Sequence, residues 1–266
     1  MPAETKKRNA ILVVSFGTSY EDTRKKTIDA IEERIARAYP EWTVYRAWTS
    51  RMIIEKIRNR DGLHIDTVTE AMERMAKDGI RQVVVQPTHV INGIENEQMI
   101  RDALAFEERF EKIVIGAPLL TSDEDSVRVI RTLAEETGPL SQGEAVVFMG
   151  HGTTHYANTV YAALDYRMKD MGYPNFFLGT VEAYPSLPAL KRRLREGGYR
   201  SVLLCPFMIV AGDHARHDMA SGEEDSWKCQ LEEEGYEIRC RMKGLGEYRG
   251  IQELFLDHIA DALKGN

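Results

Sequence analysis

The chain of 266 residues holds only three cysteines, Cys205, Cys229 and Cys240. They form no C-x-x-C pair and one is left odd, which excludes a disulfide framework and leads us to expect a reducing compartment. Positive charge is also in short supply. Lys and Arg number 35 against 42 Asp and Glu, a formal net charge of -7. That balance argues against a nucleic-acid binder, though local basic groups can still take an acidic ligand. No apolar run approaches the length of a membrane span. The first residues carry Glu4, Lys6, Lys7 and Arg8. No signal-peptide core follows, because the apolar run 11–16 is too short and lacks a cleavage site. The expectation is a soluble cytoplasmic protein. There is no G-x-x-x-x-G-K-[ST] loop, no G-x-G-x-x-G after a strand and no G-x-S-x-G elbow, so nucleotide binding and serine-nucleophile chemistry lack support.

What the chain does have is alternation. Hydrophobic residues make up 43%, enough for a sizeable core, in one large domain or two halves of roughly 130 residues. Strands are predicted over 10–16, 43–48, 82–86 and 112–115, then over 145–149, 176–181, 201–205 and near Ile238. Helices are predicted over 20–38, 67–77, 154–171, 187–196 and 250–263, with an amphipathic region over 217–234. This order implies an α/β fold with parallel sheets. The halves read as one unit used twice. Asp78 to Pro87 matches Gly197 to Pro206, and six residues beyond each proline stands a glycine, Gly93 and Gly212. Gly17-Thr18-Ser19 matches Gly152-Thr153-Thr154, and Tyr39-Pro40 matches Tyr173-Pro174. We therefore expect two similar βαβα halves, 1–125 and 126–266, around a central cleft. The boundary falls near 120–125, or at the turn 138–143 if the intervening helix belongs to the first half.

Histidines and one glutamate gather at predicted strand ends in the second half, where ligands bind in open α/β sheets. His151 is flanked by Gly150 and Gly152, which allows a tight turn with the imidazole exposed. A histidine that merely sits in a turn is the competing reading. His155 lies one helical turn on and is able to chelate a metal with His151, or to be a first-turn helix residue. Glu182 follows an apolar strand and is paired, a ligand, or solvated at the strand end. If partly buried, its raised pKa would suit a proton acceptor. His214 and His217 share a face if helical. Asp213 either orients His214 or caps the next helix. The repeat sets Glu95 where the second half has His214, so the loop with His89 is expected to line the same cleft, by substrate contact or packing. Gly17-Thr18-Ser19 offers backbone N–H groups to a carboxylate at a helix start. Imidazoles plus a carboxylate suit cobalt, nickel, iron or zinc.

These residues resemble a known family. Val14 to Tyr20, Thr88 to Gly93, His151-Gly152-Thr153, Val181 to Pro185, and Val210 to Ala215 followed by Asp218-Met219-Ala220 make the chain similar to anaerobic-type sirohydrochlorin cobaltochelatases. These belong to the class II chelatases, related to ferrochelatase. The resemblance covers nearly the whole chain. It implies insertion of Co(II) into sirohydrochlorin, or precorrin-2, in cobalamin biosynthesis, with no cofactor beyond the substrate metal. It implies His151 as proton acceptor and metal ligand, and Glu182 and His214 as further ligands, Glu182 also acting in catalysis. Gly17, Thr18, Ser19, His89 and Thr153 are expected to contact the substrate. His155 and His217 gain no support from it. The alternatives are an iron- or nickel-inserting chelatase, or a non-catalytic metal or tetrapyrrole carrier. A homo-oligomer is left open.

Overall fold

A computed structural model describes residues 8–265. Glu4, Lys6, Lys7 and the final Asn266 lie outside the described residues. The chain divides into two compact units, one reaching Thr121 and resuming at Gln252, the other Ser122–Ile251. The first break falls between Thr121 and Ser122. From Gln252 onward the chain groups with the first unit.

The first unit holds β1 (Asn9–Ser15), α1 (Glu21–Lys26), α2 (Ile28–Ala38), β2 (Thr43–Trp48), α3 (Arg51–Asp61), α4 (Val68–Lys77), β3 (Gln82–Pro87), α5 (Ile94–Leu104) and β4 (Lys112–Ile115). Its strands form a parallel sheet in the order β2-β1-β3-β4. The central β1 is buried on both faces, which is why it reads as an unbroken apolar run. Residues 20–38, expected as one helix, break at Thr27. Its buried hydroxyl donates to the Thr23 carbonyl at 2.6 Å, and such back-bonding competes with the helix ladder. α4 begins with a reciprocal cap, Thr67 Oγ1 accepting from Glu70 N–H and the Glu70 carboxylate from Thr67 N–H. Two helices went unread in the sequence. In α3 only Ile54 and Ile57 are buried. In α5 the buried face is Asn96, Met99 and Ala103, and an asparagine at a core position hides the apolar period.

The second unit holds α6 (Asp123–Thr137), β5 (Glu144–Gly150), α7 (Thr159–Asp170), β6 (Phe176–Thr180), α8 (Leu187–Glu196), β7 (Ser201–Pro206), α9 (Trp227–Glu232) and β8 (Glu237–Cys240). Its parallel sheet runs β6-β5-β7-β8, the same order as the first. The chain ends in α10 (Arg249–Lys264). The helix expected over 154–171 starts only at Thr159, after a single 3-10 turn at Tyr156–Asn158. The amphipathic region becomes a π-helical turn, Ala215–Met219, and then α9. All three cysteines are free thiols. Among the described residues no helix is long and apolar enough to cross a membrane.

Candidate metal centre

Three chain segments leave the carboxyl edge of the second sheet side by side. β5 lies between β6 and β7, with Gly150 opposite Thr180 and Met149 opposite Pro206. The pairing runs on past the strands. Val181 N–H donates to the Gly150 carbonyl at 3.0 Å, Glu182 N–H to the His151 carbonyl at 2.9 Å, and Phe207 N–H to the Met149 carbonyl at 2.7 Å. His151 and Glu182 are thereby locked in register, so residues distant in sequence become neighbours. Gly152 has φ +86°, and a Cβ there would sit 2.9 Å from Thr180 Cβ and 3.0 Å from Ala183 N. Only glycine allows this turn and this approach.

His151, Glu182 and His214 each offer a ligand atom, and these lie within 4.8 Å of one another. The rings of His151 and His214 meet edge to face, with centroids 4.5 Å apart. Both imidazoles have their Nδ1 engaged. His151 Nδ1 is 2.8 Å from the Gly152 carbonyl oxygen, and His214 Nδ1 is 2.8 Å from Asp218 Oδ2. Those oxygens only accept, so each Nδ1 carries the hydrogen, and in a neutral imidazole the lone pair then lies on Nε2. Glu182 is exposed, at the solvated end of its strand; of the alternatives read from sequence, the partly buried carboxylate is not the one found. Two imidazole nitrogens and a carboxylate oxygen, reachable from solvent, are a donor set for a borderline divalent ion.

Other expected residues fall elsewhere. His155 does not pair with His151, because residues 151–155 are not helical. Its Nδ1 instead accepts from Ala157 N–H at 3.2 Å and starts the 3-10 turn. His217 Nε2 lies 3.7 Å from Asp213 Oδ1, so Asp213 faces His217, and Asp218 takes the place beside His214. The i, i+4 spacing of His214 and Asp218 was the available signal. Thr153 stays next to His151, its N–H donating to Asn158 Oδ1 and its hydroxyl oxygen accepting from His155 N–H.

Gly17, Thr18, Ser19 and His89 lie at the matching edge of the first sheet. Thr18 and Ser19 are buried. α1 is only six residues long and opens with Glu21 and Asp22, so the helix start expected to attract a carboxylate is acidic. His89 as a residue is part-exposed, yet both ring nitrogens are buried, with the Asn96 side chain beside them. Burial lowers its pKa to about 4. A second cluster, His64, Asp66 and Glu70, is committed to structure. Asp66 pairs with Arg74 and His64, and Glu70 caps α4.

Against known proteins, residues 9–264 match the cobalt chelatase (CbiK) family. The chain belongs to that family. It is 43% identical to the sirohydrochlorin cobaltochelatase of Salmonella typhimurium over 256 residues, covering 96% of this chain and 97% of that one. It is 32% identical to the sirohydrochlorin cobaltochelatase CbiKC of Nitratidesulfovibrio vulgaris, covering 96% and 91%. The fold is similar to that of SirB from Bacillus subtilis with Fe3+, with a TM-score of 0.64 at 13% identity over 97% of this chain and 98% of that one. The sirohydrochlorin chelatase SirB of Bacillus subtilis subspecies spizizenii, in complex with cobalt, gives 0.60 at 11% identity over 97% and 96%. The two-sheet α/β architecture is thus that of the chelatases.

Proposed function

We propose that this cobalt chelatase family member is a sirohydrochlorin cobaltochelatase, inserting Co(II) into sirohydrochlorin or precorrin-2 in the cytoplasm on the route to cobalamin. The observation that carries the reading is the convergence of His151, Glu182 and His214 at one strand edge. Full-length similarity to two proteins of that name supports it. The second unit carries the metal site. Co(II) is substrate, held by His151 Nε2, His214 Nε2 and a Glu182 oxygen, with its remaining positions open to water or pyrrole nitrogen.

The reaction replaces two pyrrole N–H protons with one Co(II), so two protons must leave. His151 and Glu182 accept them as the metal moves from protein to ring, since each loses its metal bond at that moment and regains a free lone pair. Solvent then takes the protons from these exposed groups. Protein nitrogen ligands favour Co(II), iron and nickel alike, so the choice of metal rests on geometry and supply. Thr153, beside His151, belongs to this reading as a tetrapyrrole contact.

The test is anaerobic turnover of sirohydrochlorin with Co(II), Fe(II) and Ni(II) in competition. Multiple turnovers with release of cobalt-sirohydrochlorin are expected. One metal or one tetrapyrrole retained per chain, without turnover, would make the protein a carrier. Preference for iron or nickel would reassign the metal.

A further inference from the structure

We propose that Asp218 is a positioning residue, fixing the His214 imidazole as its Nδ1–H tautomer so that Nε2 alone meets the metal. The inference rests on the reading of His214 as a ligand. The two histidines reach the same tautomer by different means. His151 donates to the carbonyl of its own neighbour, Gly152, a partner no substitution removes. His214 donates to a side chain, Asp218 Oδ2 at 2.8 Å, and that partner is replaceable.

The segment holding both groups is anchored on its inner side. Ala215 and Met219, each one residue beyond His214 and Asp218, are fully buried in the second unit's core. They bracket a π-helical turn, a geometry found frequently at functional sites. With Ala215 and Met219 pinned inward, His214 and Asp218 come to one outer face, within hydrogen-bond reach. The loop before them is fixed as well. Leu245 N–H donates to the Met208 carbonyl and Gly246 N–H to the Ile209 carbonyl. Gly244 packs so closely that a Cβ would meet the Ile209 carbonyl oxygen at 2.5 Å. The backbone is therefore placed without Asp218, and what remains for Asp218 is ring rotation and tautomer. A free imidazole would divide its hydrogen between two nitrogens; the carboxylate removes that choice and raises the ring's strength as a donor. Asp213, one residue before His214, has its carboxylate toward His217 and is the natural control.

The experiment measures Co(II) affinity and the Co(II) ligand-field absorption spectrum of the full chain, with the metal alone as probe. Asp218→Ala is expected to weaken Co(II) binding by roughly ten- to a hundredfold and to shift the spectrum, with thermal unfolding little changed. Asp218→Asn keeps an acceptor oxygen for Nδ1–H and should recover most of the affinity and the original spectrum. Asp213→Ala should bind as the parent does. Parent-like binding by Asp218→Ala, alongside loss in His214→Ala, would overturn the proposal while leaving the ligand set standing. Asp218→Asn as weak as Asp218→Ala would overturn the tautomer role. Parent-like binding by His214→Ala would instead remove His214 as a ligand, and the proposed site would fail first.

Discussion

In the first unit the residue after β1 is Phe16; at the corresponding point after β5 stands His151. The correspondence is fixed by register. Ser15 faces Trp48 as Gly150 faces Thr180, and Val14 faces Pro87 as Met149 faces Pro206. Past the strands, Ser50 N–H donates to the Phe16 carbonyl as Glu182 N–H does to that of His151. Gly17 and Gly152 both have positive φ. In each unit the threonine after that glycine accepts an N–H two residues on, from Tyr20 in one and His155 in the other. The frame is thus built twice, but the positions matching the three proposed ligands read Phe16, Ser50 and Glu95 in the first unit. Phe16 is exposed, and Ser50 is spent on capping α3. The fold places three side chains at an edge, and the chemistry lies entirely in which side chains they are.

The largest effect should come from crossing this line at its strongest point. His151→Ala removes a proposed ligand and base, so cobalt insertion should fall by orders of magnitude with Co(II) binding weakened in parallel. The side chain is about 40% exposed (41%), so the melting temperature should hold. Phe16→Ala, at the matching position, should leave Co(II) affinity as it was. Equal loss of metal binding in both variants would break the comparison.

Next in size is a gain. Phe16→His, Ser50→Glu and Glu95→His together place the second unit's ligand set on the first unit's frame. Equilibrium dialysis should then find a second Co(II) per chain, bound more weakly than the first, because Ser50 also caps α3 and that bond is lost. A single ion per chain would mean that backbone register alone does not make a site.

Register also explains what the sequence disclosed. The doubled pattern around Pro87 and Pro206, with Gly93 and Gly212, was legible because turns and buried strands constrain residue type locally. His151, Glu182 and His214 stood out because polar groups directly after apolar strands are conspicuous. Three things stayed hidden. The start of α7 at Thr159 depends on His155 turning aside to cap a 3-10 turn, a choice that helical spacing does not report. The partner of His214 is signalled only by the i, i+4 spacing of Asp218, and the π-helical turn that brings the two together has no pattern of its own in sequence. The grouping of α10 from Gln252 onward with the first unit is a tertiary fact: Glu253 pairs with Arg34, and Tyr39 donates to the Leu256 carbonyl.

A smaller effect separates the units by pH. His89 lies two residues beyond Pro87, where the second unit has Met208 two beyond Pro206. The folded protein holds this imidazole at a pKa of about 4, against a reference of about 6.5 in the unfolded chain. Between these values the unfolded state binds the extra proton, so this contribution to stability is full above about pH 6.5 and lost as pH falls toward 4. The span amounts to at most about 3 to 4 kcal/mol. His89→Met installs the second unit's residue and should flatten denaturation midpoints measured from pH 7 to pH 4.5. An unchanged pH slope would show that His89 is protonated in the folded protein without cost.

The smallest effect is expected at the position matching Tyr20. Both Tyr20 and His155 sit at the N-cap of the element that follows the glycine turn. Tyr20 makes no side-chain cap bond, whereas His155 accepts from Ala157 N–H and lies against Tyr156, ring centroids 4.2 Å apart. His155→Tyr therefore exchanges a cap bond for the first unit's solution, at a cost of about 1 kcal/mol or less in stability. The metal triad does not include His155, so cobalt insertion should stay within a few-fold of the parent. The measurement is the insertion rate of His155→Tyr beside that of His151→Ala, in one assay. A collapse of both rates would make His155 a ligand after all, reached by a rearrangement of the turn that metal binding itself would have to drive.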